Sequence, residues 1–308
     1  MPIDNPLWFI TGERAPRRRE SVKKPVAGEL AVVTGNVVSL RARPDAGSEQ
    51  VSQALIGQSV VAEGGQGDWL FVQTWDTYRG WIRADALRRV DDQSSPYAFK
   101  GPVAIIRELF VDVFENPTER SPIITKATIA SELEISRSDD GWVELNLPDT
   151  RKGYIRKHEA RLVDKDLAQT VWLPDPRKLV ETAARFVGVP YLWGGTSPFG
   201  LDCSGFVQLV YRIHNVTLLR DSKLQFSDPR GEETHAHDLR AGDLVFFGDG
   251  GSVTHVGMAL GPQAFIHACS AEGVTVASLD DPRYADIYIG SRRMRLATLD
   301  PGGGVPEQ

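Results

Sequence analysis

The sequence predicts a multidomain protein in which two small all-β domains precede one α+β domain. Its 308 residues are too many for one ordinary domain. The first half of the chain repeats short alternating segments separated by turn residues, which is typical of small β domains. After about residue 172, helical periodicity comes first and apparent strands follow, which is the order of an α+β domain. A hydrophobic content of 41% and a charged content of 25% indicate that these domains can bury cores.

The repeat joins a tryptophan-containing strand to a later strand with a glycine followed by an aromatic residue. Trp69 aligns with Trp142 and Gly80 with Gly153, and both pairs lie 73 residues apart. Similarity at a fixed period indicates duplicated modules. Short strands with regular turns indicate a small barrel or sandwich. We expect a closed barrel in each copy, because closure removes the exposed edges of a sheet.

The first copy resembles the bacterial SH3-like domains, which are small β barrels often attached to enzymes that degrade the cell wall. The segment 36–44, Asn-Val-Val-Ser-Leu-Arg-Ala-Arg-Pro, and the Gly-Asp-Trp and Gly-Trp-Ile signals carry this resemblance. The second copy matches only in its latter half and is assigned mainly through the repeat. We therefore expect an N-terminal segment at 1–28 and SH3-like barrels at 29–92 and 98–165.

The C-terminal part of the chain predicts one helix, then a second helix that begins near a cysteine, and then a sheet. Apolar residues from Leu179 to Val187 fall at helical spacing, and those from Phe206 onward do so again. The apparent strands that follow lie at 244–247, 255–260, 264–268 and 274–278, with another near 287–289. We expect this α+β domain to span 172–296. Residues 297–308, which are rich in glycine and proline, are expected to form a flexible tail.

The charge and the apolar runs of the chain exclude several classes of protein. A formal charge of −6 lacks the basic field that nucleic-acid binding needs, so we expect no nucleic-acid partner. No apolar run approaches the roughly 20 residues of a membrane span. The run Leu-Trp-Phe-Ile near the N-terminus is too short for a secretory signal. We therefore expect a cytoplasmic protein that does not bind membranes. We also expect it to act as a monomer.

Cys203 has the sequence surroundings of a nucleophile. It stands in Asp-Cys-Ser-Gly, where a helix begins, and a helix N-terminus lowers the pKa of a thiol through its partial positive charge. A thiolate attacks more readily than a thiol, and a neighbouring imidazole activates the sulfur and later gives the proton to the leaving amine. His255 and His267 lie on apparent strands joined by a short turn. Adjacent strands would place these imidazoles side by side, as a base and the group that orients it.

The same residues also permit a purely structural interpretation. A cysteine in an apolar helix is usually a small buried hydrophobic residue, and a histidine on a buried strand is usually a hydrogen-bonded core residue. The polar and glycine neighbours of Cys203 favour a cleft, yet from the chemistry alone both interpretations stay open. No metal ion and no cofactor are expected, because His235 and His237 lack a nearby third ligand and no glycine pattern here is that of a phosphate loop.

The motifs around these residues resemble the NlpC/p60 family of cell-wall cysteine peptidases over about residues 172–293. They are Tyr-x-Trp-Gly-Gly, Asp-Cys-Ser-Gly-Phe, Arg-Ala-Gly-Asp-Leu-Val-Phe-Phe and His-Val-Gly, in this order. The resemblance implies a bacterial protein with a papain-like fold, in which Cys203 is the nucleophile, His255 the base and His267 the third polar residue. It also implies that Tyr191 helps to form the oxyanion hole, to which a cysteine at a helix start can add its own backbone amide.

Two SH3-like domains followed by this peptidase domain resemble the γ-D-glutamyl-L-diamino acid endopeptidases. This resemblance implies cleavage of murein peptides between D-Glu and diaminopimelate or lysine. One branch recycles wall peptides in the cytoplasm and requires a free N-terminal L-Ala, whose ammonium group Glu49 and Tyr78 would bind here. The further substrate contacts that the resemblance implies are Trp193, Asp202, Ser204, Asp221 and Ser222.

These assignments have alternatives. Asp202 would also serve as the N-cap of the helix, Ser222 as a cap or turn residue, and Glu49 as a solvated loop charge. A different function is wall binding by the SH3-like domains with a degenerate peptidase scaffold, against which the complete Cys-His-His set argues. A third possibility is an amidase or acyltransferase on the same fold, because fold alone does not decide the reaction.

Overall fold

The computed structural model describes residues 25–91, 95–166 and 175–294. The flexible tail expected at 297–308 and most of the N-terminal segment expected at 1–28 lie outside these ranges. No helix within the described ranges is both long enough and apolar enough to cross a membrane.

The first module is a seven-stranded antiparallel sheet. Within its strands, apolar residues alternate with polar ones, so that Leu70 and Val72 of one strand and Ile82 of the next point into a common core. The hydrogen-bonded order is β3-β2-β6-β5-β4-β1-β7. The strands are β1 (Leu30–Val33), β2 (Val37–Arg41), β3 (Gln50–Leu55), β4 (Ser59–Gln66), β5 (Trp69–Gln73), β6 (Arg79–Arg83) and β7 (Leu87–Arg89).

The second module repeats the first in topology, which confirms the duplication. Its order, β10-β9-β13-β12-β11-β8-β14, is the first order shifted by seven strands. Trp69 and Trp142 each begin the fifth strand of their module, and Gly80 and Gly153 occupy the second position of the sixth. The strands are β8 (Pro102–Ile106), β9 (Phe110–Phe114), β10 (Ile123–Thr128), β11 (Glu132–Ser138), β12 (Trp142–Asn146), β13 (Lys152–Arg156) and β14 (Ala160–Asp164).

The expectation of closed barrels is wrong. Within the described strands, no ladder joins β3 to β7 or β10 to β14, so each module is an open sheet with two edges. The edge at β3 is covered in another way, because the C-terminal domain packs against it. The side-chain oxygen of Gln53 accepts a hydrogen bond from the backbone N–H of Thr196 (2.9 Å). The backbone carbonyl of Gln53 accepts another from the hydroxyl of Thr196 (3.2 Å). Covering an edge with another segment removes its unpaired groups as effectively as closure does.

The third domain is α+β, as the sequence predicts. Its six-stranded sheet has the order β17-β22-β18-β19-β20-β21, so the last strand inserts beside β18, and helix α2 packs against β19 and β20. The helices are α1 (Pro176–Ala184), α2 (Cys203–Ile213), α3 (Ser222–Ser227) and α4 (Pro282–Ala285). The strands are β15 (Thr196–Ser197), β16 (Gly200–Leu201), β17 (Gly231–Thr234), β18 (Leu244–Asp249), β19 (Ser252–Ala259), β20 (Ala264–Cys269), β21 (Gly273–Ser278) and β22 (Tyr288–Met294).

One cluster of side chains joins all three domains. Arg212, on α2, forms an ion pair with Glu132 of the second module (3.2 Å). Its guanidinium group also lies over the ring of Trp75 in the first module, 4.2 Å from the ring centroid. A guanidinium group can bind a carboxylate and stack on an aromatic face at the same time. Arg212 therefore contributes to the placement of both modules against the third domain.

Candidate active site

A cleft of about 390 Å³ lies between the first module and the third domain. Nine of the eleven side chains that the sequence singled out line it, whereas His255 and His267 are not among its lining residues. The nine are Glu49, Tyr78, Tyr191, Trp193, Asp202, Cys203, Ser204, Asp221 and Ser222. The fold therefore brings residues from β3 and its preceding loop, from the turn before β6, and from the starts of α2 and α3 to one place.

Cys203 is the first residue of α2. Asp202 precedes it as the N-cap, and its carboxylate accepts a hydrogen bond from the backbone N–H of Gly205 (2.7 Å). A carboxylate at this position satisfies an N–H group that the helix itself cannot satisfy. The cap therefore sets where the helix begins and points the cysteine side chain toward the floor of the cleft.

The pKa of the Cys203 thiol is raised to about 11, chiefly by burial and then by the negative charge of Asp202. The side chain is only 8% exposed. Backbone N–H groups of Val256 and Ser204 act in the opposite direction, as the helix start predicts, but burial outweighs them. The expectation of a lowered thiol pKa is therefore wrong for this state, in which the sulfur carries its proton.

His255 and His267 lie side by side on the paired strands β19 and β20. Nε2 of His255 is 2.8 Å from Nδ1 of His267, and the rings are nearly perpendicular. Burial lowers the pKa of His255 to about 4. Burial, followed by the charge of His255 when protonated, lowers the pKa of His267 to about 3. Both imidazoles are therefore neutral at pH 7, so His255 is available as a proton acceptor.

Helix α2, which begins with Cys203, packs against β19, the strand that carries His255. The Cys203 sulfur accepts a hydrogen bond from the backbone N–H of Val256, the residue that follows His255. Because Nε2 of His255 faces His267, Nδ1 is the ring nitrogen left for the thiol. The arrangement is that of a neutral thiol beside a neutral base, in which proton transfer accompanies attack.

Tyr191 lines the cleft beside Cys203. An isolated bridge to Leu201, two residues before the cysteine, holds its backbone. Burial, followed by the nearby charge of Cys203 when ionised, raises the pKa of its hydroxyl to about 12. The hydroxyl therefore keeps its proton and can donate a hydrogen bond to a developing oxyanion.

Arg220, which the sequence reading did not single out, holds the carboxylate of Asp202 from behind the cleft. It is 1% exposed and binds both oxygens of Asp202, at 3.0 and 2.5 Å. It also donates hydrogen bonds to the hydroxyls of Ser204 (2.9 Å) and of Ser52 in the first module (3.2 Å). A signal was present in the sequence, because an arginine that follows Val-Thr-Leu-Leu needs a buried partner.

The two oxygens of Asp202 are therefore occupied by protein donors. Besides Gly205 and Arg220, the backbone N–H of Gly194 donates to the carboxylate (2.9 Å). This is the capping alternative considered for Asp202, combined with a buried ion pair. The acceptors that stay open to the cleft belong to other side chains.

The free acceptors are on the first module and at the residue that precedes α3. The exposed Glu49 accepts a hydrogen bond from Nε1 of Trp193 (2.7 Å), which leaves its other oxygen open to the cleft. The hydroxyl of Tyr78 donates to the carboxylate of Asp221, whose pKa is raised, mainly by burial. Two carboxylates and a tyrosine hydroxyl thus face one part of the cleft.

Five more lining residues were not anticipated as site residues: Val51, Gly194, Lys223, Val253 and Thr254. Lys223 follows Ser222 on α3 and brings a positive charge to a cleft that otherwise contains acidic side chains. Across residues 25–91, 95–166 and 175–294, no group of three or more His, Cys, Asp or Glu side chains is arranged to hold a metal ion. The exposed His235 and His237 stack on each other, with ring centroids 5.5 Å apart.

The sequence patterns of two known families match this chain. That of the NlpC/P60 family matches residues 188–293, and that of the bacterial dipeptidyl-peptidase SH3 domain matches residues 40–87. The first range contains Cys203, His255 and His267, and the second covers most strands of the first module.

Curated relatives are similar over most of the chain. A γ-D-glutamyl-L-lysine dipeptidyl-peptidase of Bacillus cereus is 30% identical over 79% of this chain and 74% of its own length. Dipeptidyl-peptidase 6 of Lysinibacillus sphaericus is 30% identical over 82% of this chain and 92% of its own length. The crystal structure of an NlpC/P60 family protein from Bacillus cereus superimposes with a TM-score of 0.77 at 25% identity, over 86% of this chain and 99% of that one.

The domain order and the thiol-histidine arrangement define a modular cysteine peptidase. The chain belongs to the NlpC/P60 family, and it is a cysteine peptidase.

Proposed function

We propose that this peptidase hydrolyses the bond between the γ-carboxyl of D-Glu and the diamino acid of a murein peptide whose N-terminal L-Ala carries a free amine. The observation that carries this proposal is the acidic part of the cleft, which the first module closes with Glu49 and Tyr78 opposite Cys203. A charged amine requires a carboxylate and further acceptors there. Bacterial relatives over most of the chain are named for γ-D-glutamyl-L-lysine bonds, which supports the same substrate class.

In the proposed reaction, Nδ1 of His255 accepts the thiol proton while the Cys203 sulfur attacks the γ-carbonyl carbon of D-Glu. The carbonyl oxygen becomes an oxyanion, which the backbone N–H of Cys203 and the hydroxyl of Tyr191 stabilise. The tetrahedral intermediate then collapses to a thioester, and the imidazolium gives its proton to the leaving amine. Water, deprotonated by the same imidazole, hydrolyses the thioester and restores the thiol.

The walls of the cleft suit a dipeptide on the acyl side of the bond. Glu49, Tyr78 and Asp221 would bind the ammonium group of L-Ala. The hydroxyl of Ser222 would donate to the α-carboxylate of D-Glu, whereas the hydroxyl of Ser204 donates to the carboxylate of Asp202 (3.3 Å). Trp193, 62% exposed at the rim, would cover the peptide. This preference for a free amine favours released wall peptides over intact wall, so we infer a role in murein recycling in the cytoplasm.

The proposal is tested with two synthetic peptides, L-Ala-γ-D-Glu-diaminopimelate and its N-acetylated form, with products analysed by mass spectrometry. We expect release of diaminopimelate from the free-amine peptide, no cleavage of the acetylated one, and no product with Cys203→Ala. A lysine-containing peptide compares the two diamino acids.

The matched variants Glu49→Gln and Tyr78→Phe test the amine pocket separately. We expect each to raise KM for the free-amine peptide by roughly 10-fold, the scale of one hydrogen bond to a charged group. Cleavage of both peptides at equal rates would keep the peptidase assignment but overturn the amine pocket. No cleavage of either would overturn the proposed substrate.

A further inference from the structure

Tyr284 ends a chain of hydrogen bonds that begins at His255. His255 Nε2 lies 2.8 Å from His267 Nδ1, and His267 Nε2 lies 3.2 Å from the hydroxyl oxygen of Tyr284. The rings of His267 and Tyr284 are nearly perpendicular, with centroids 5.2 Å apart. Both nitrogens of His267 are therefore engaged, one by the base and one by the tyrosine.

The direction of these hydrogen bonds follows from the task of His255. To accept the thiol proton, Nδ1 of His255 must be unprotonated, so its own proton must be on Nε2. That proton is donated to Nδ1 of His267, which must then be an acceptor. In a neutral imidazole the other nitrogen carries the proton, so Nε2 of His267 donates to the oxygen of Tyr284. The same directions hold when His255 is an imidazolium, because its Nε2 still donates.

We propose that Tyr284 is a positioning residue that holds His267 and His255 in the Nε2–H tautomer by accepting a hydrogen bond from His267. The inference rests on the proposed role of His255 as base. If the tyrosine donated instead, His267 would carry its proton on Nδ1, and His255 would be driven to the Nδ1–H form. A base in that form presents a proton to the thiol and cannot receive one.

The surroundings hold the tyrosine ring firmly. It contacts the rings of Phe247 and Phe265, with centroids 5.5 and 5.0 Å away. Helix α4 begins just before it, with Asp281 accepting a hydrogen bond from the backbone N–H of Arg283 (3.0 Å). A ring packed in this way keeps its hydroxyl oxygen in front of His267, which is the preorganisation that an orienting group needs.

The experiment compares Tyr284→Phe with Tyr288→Phe. Tyr288 packs in the same aromatic cluster, 6.0 Å from Phe247. Within the described part of the chain, its buried hydroxyl has no hydrogen-bond partner. Each variant thus removes a tyrosine hydroxyl from the same aromatic cluster. Only Tyr284→Phe also removes a hydrogen bond to His267.

The tautomers are measured by ¹⁵N NMR at pH 7 on protein labelled at histidine. The chain has six histidines, few enough to assign with single His→Gln variants. In the wild type and in Tyr288→Phe we expect His255 and His267 to be protonated on Nε2. In Tyr284→Phe we expect a mixture with the Nδ1–H form at both rings, and a kcat lowered roughly 3- to 10-fold with KM unchanged, the scale of one neutral hydrogen bond.

A wild-type His267 protonated on Nδ1 would overturn the inference, because Tyr284 would then be the donor. Equal spectra and equal kcat in the two variants would overturn it as well. The NMR measurement needs no substrate, so it stands even if the proposed peptide is not cleaved. The spectra also show whether each variant is folded. If Tyr284→Phe is misfolded, Tyr284→His replaces it. The unprotonated ring nitrogen of that histidine can still accept the hydrogen bond from His267, so we expect Tyr284→His to keep both rings in the Nε2–H form.

Discussion

The proton affinity of His255 is governed by burial more than by any charge. Desolvation lowers its pKa to about 4, against a smaller opposing effect from Asp202. His267 and Cys203 obey the same rule, since burial favours the neutral form of each. At the residue scale, the thiol of Cys203 and the two imidazoles are therefore neutral before the reaction begins.

A first prediction concerns the acid side of the pH profile. Because the folded-state pKa of His255 is depressed, the imidazole stays unprotonated, and able to accept the thiol proton, down to about pH 4. We expect kcat/KM to keep its plateau through pH 6 and to fall only below about pH 5. Initial rates between pH 4 and 8 check this, and an acid limb centred at 6.5, the ordinary value for histidine, would contradict it.

The same shift predicts how stability depends on pH. Between the unfolded-state pKa of about 6.5 and the folded-state pKa of about 4, the unfolded chain binds more protons at His255 than the folded chain does. The free energy of unfolding therefore falls as the pH falls through this window, by about 3 kcal/mol at most. Urea unfolding at pH 6.5 and 5.0 checks this, with His255→Gln as the control that should show a smaller decrease.

At the scale of elements, the start of α2 depends on a buried ion pair. Arg220 satisfies the carboxylate that caps the helix and positions Cys203. Such a pair is not in itself strong evidence of stability, but removing one partner leaves a buried charge uncompensated. The placement of the nucleophile and the docking of the first module thus share one side chain.

We predict that Arg220→Met destabilises the protein by about 3 kcal/mol and lowers kcat as well, because α2 loses its fixed start. The matched control is Arg283→Met, since Arg283 pairs with Asp281 at an exposed position where little change in stability is expected. Urea unfolding gives the free energies. Equal midpoints in the two variants would show that Arg220 is dispensable.

The repeated glycine of the modules has a packing reason. A Cβ atom at Gly153 would lie 2.5 Å from Cγ1 of Val113, and one at Gly80 would lie 3.1 Å from Cβ of Leu40. Both contacts arise where the sixth strand of a module pairs with the second. The glycine is therefore required by the close approach of two strands and not by a turn.

We predict that Gly153→Ala costs about 1–3 kcal/mol through overpacking. Gly64→Ala is the control, because a Cβ atom there meets nothing within 4 Å. Thermal unfolding of both variants checks the difference. A loss of stability that is the same at both positions would point to the backbone and not to the contact with Val113.

At the scale of the whole molecule, the cleft exists because two domains meet. Glu49 and Tyr78 come from the first module, whereas Cys203 opens a helix of the third. The cluster of Arg212, Trp75 and Glu132 ties these domains and the second module together. Substrate binding should therefore depend on side chains that never touch the peptide.

We predict that Trp75→Ala raises KM more than it lowers kcat, because it loosens the wall that carries Glu49 and Tyr78 but leaves the catalytic groups in place. Trp142→Ala is the matched control, since Trp142 stacks with Arg156 in the same manner, at 4.0 Å, within the second module. Steady-state kinetics with the free-amine peptide compare them. Unchanged KM in Trp75→Ala would contradict the docking role.

Short stretches of the sequence predict much of the local structure and of the site. The helix that begins at Cys203 follows from an N-cap residue and apolar spacing, and the duplicated modules follow from Trp69 and Trp142 at one period. Such features depend on neighbours close in the chain, so periodicity and capping residues predict them. The motifs around Cys203 and His255 likewise identified the family before any distance was known.

The tertiary structure alone decided the features that depend on distant residues. The edge strand β3 of the first sheet packs on the third domain, which no local pattern shows. Arg220 reaches Ser52 across 168 residues, and Trp193 reaches Glu49 across 144. The thiol pKa is high because burial, a property of the assembled core, exceeds the effect of the helix start. Local sequence determined which groups are present, and long-range packing determined their protonation, their partners and the shape of the cleft.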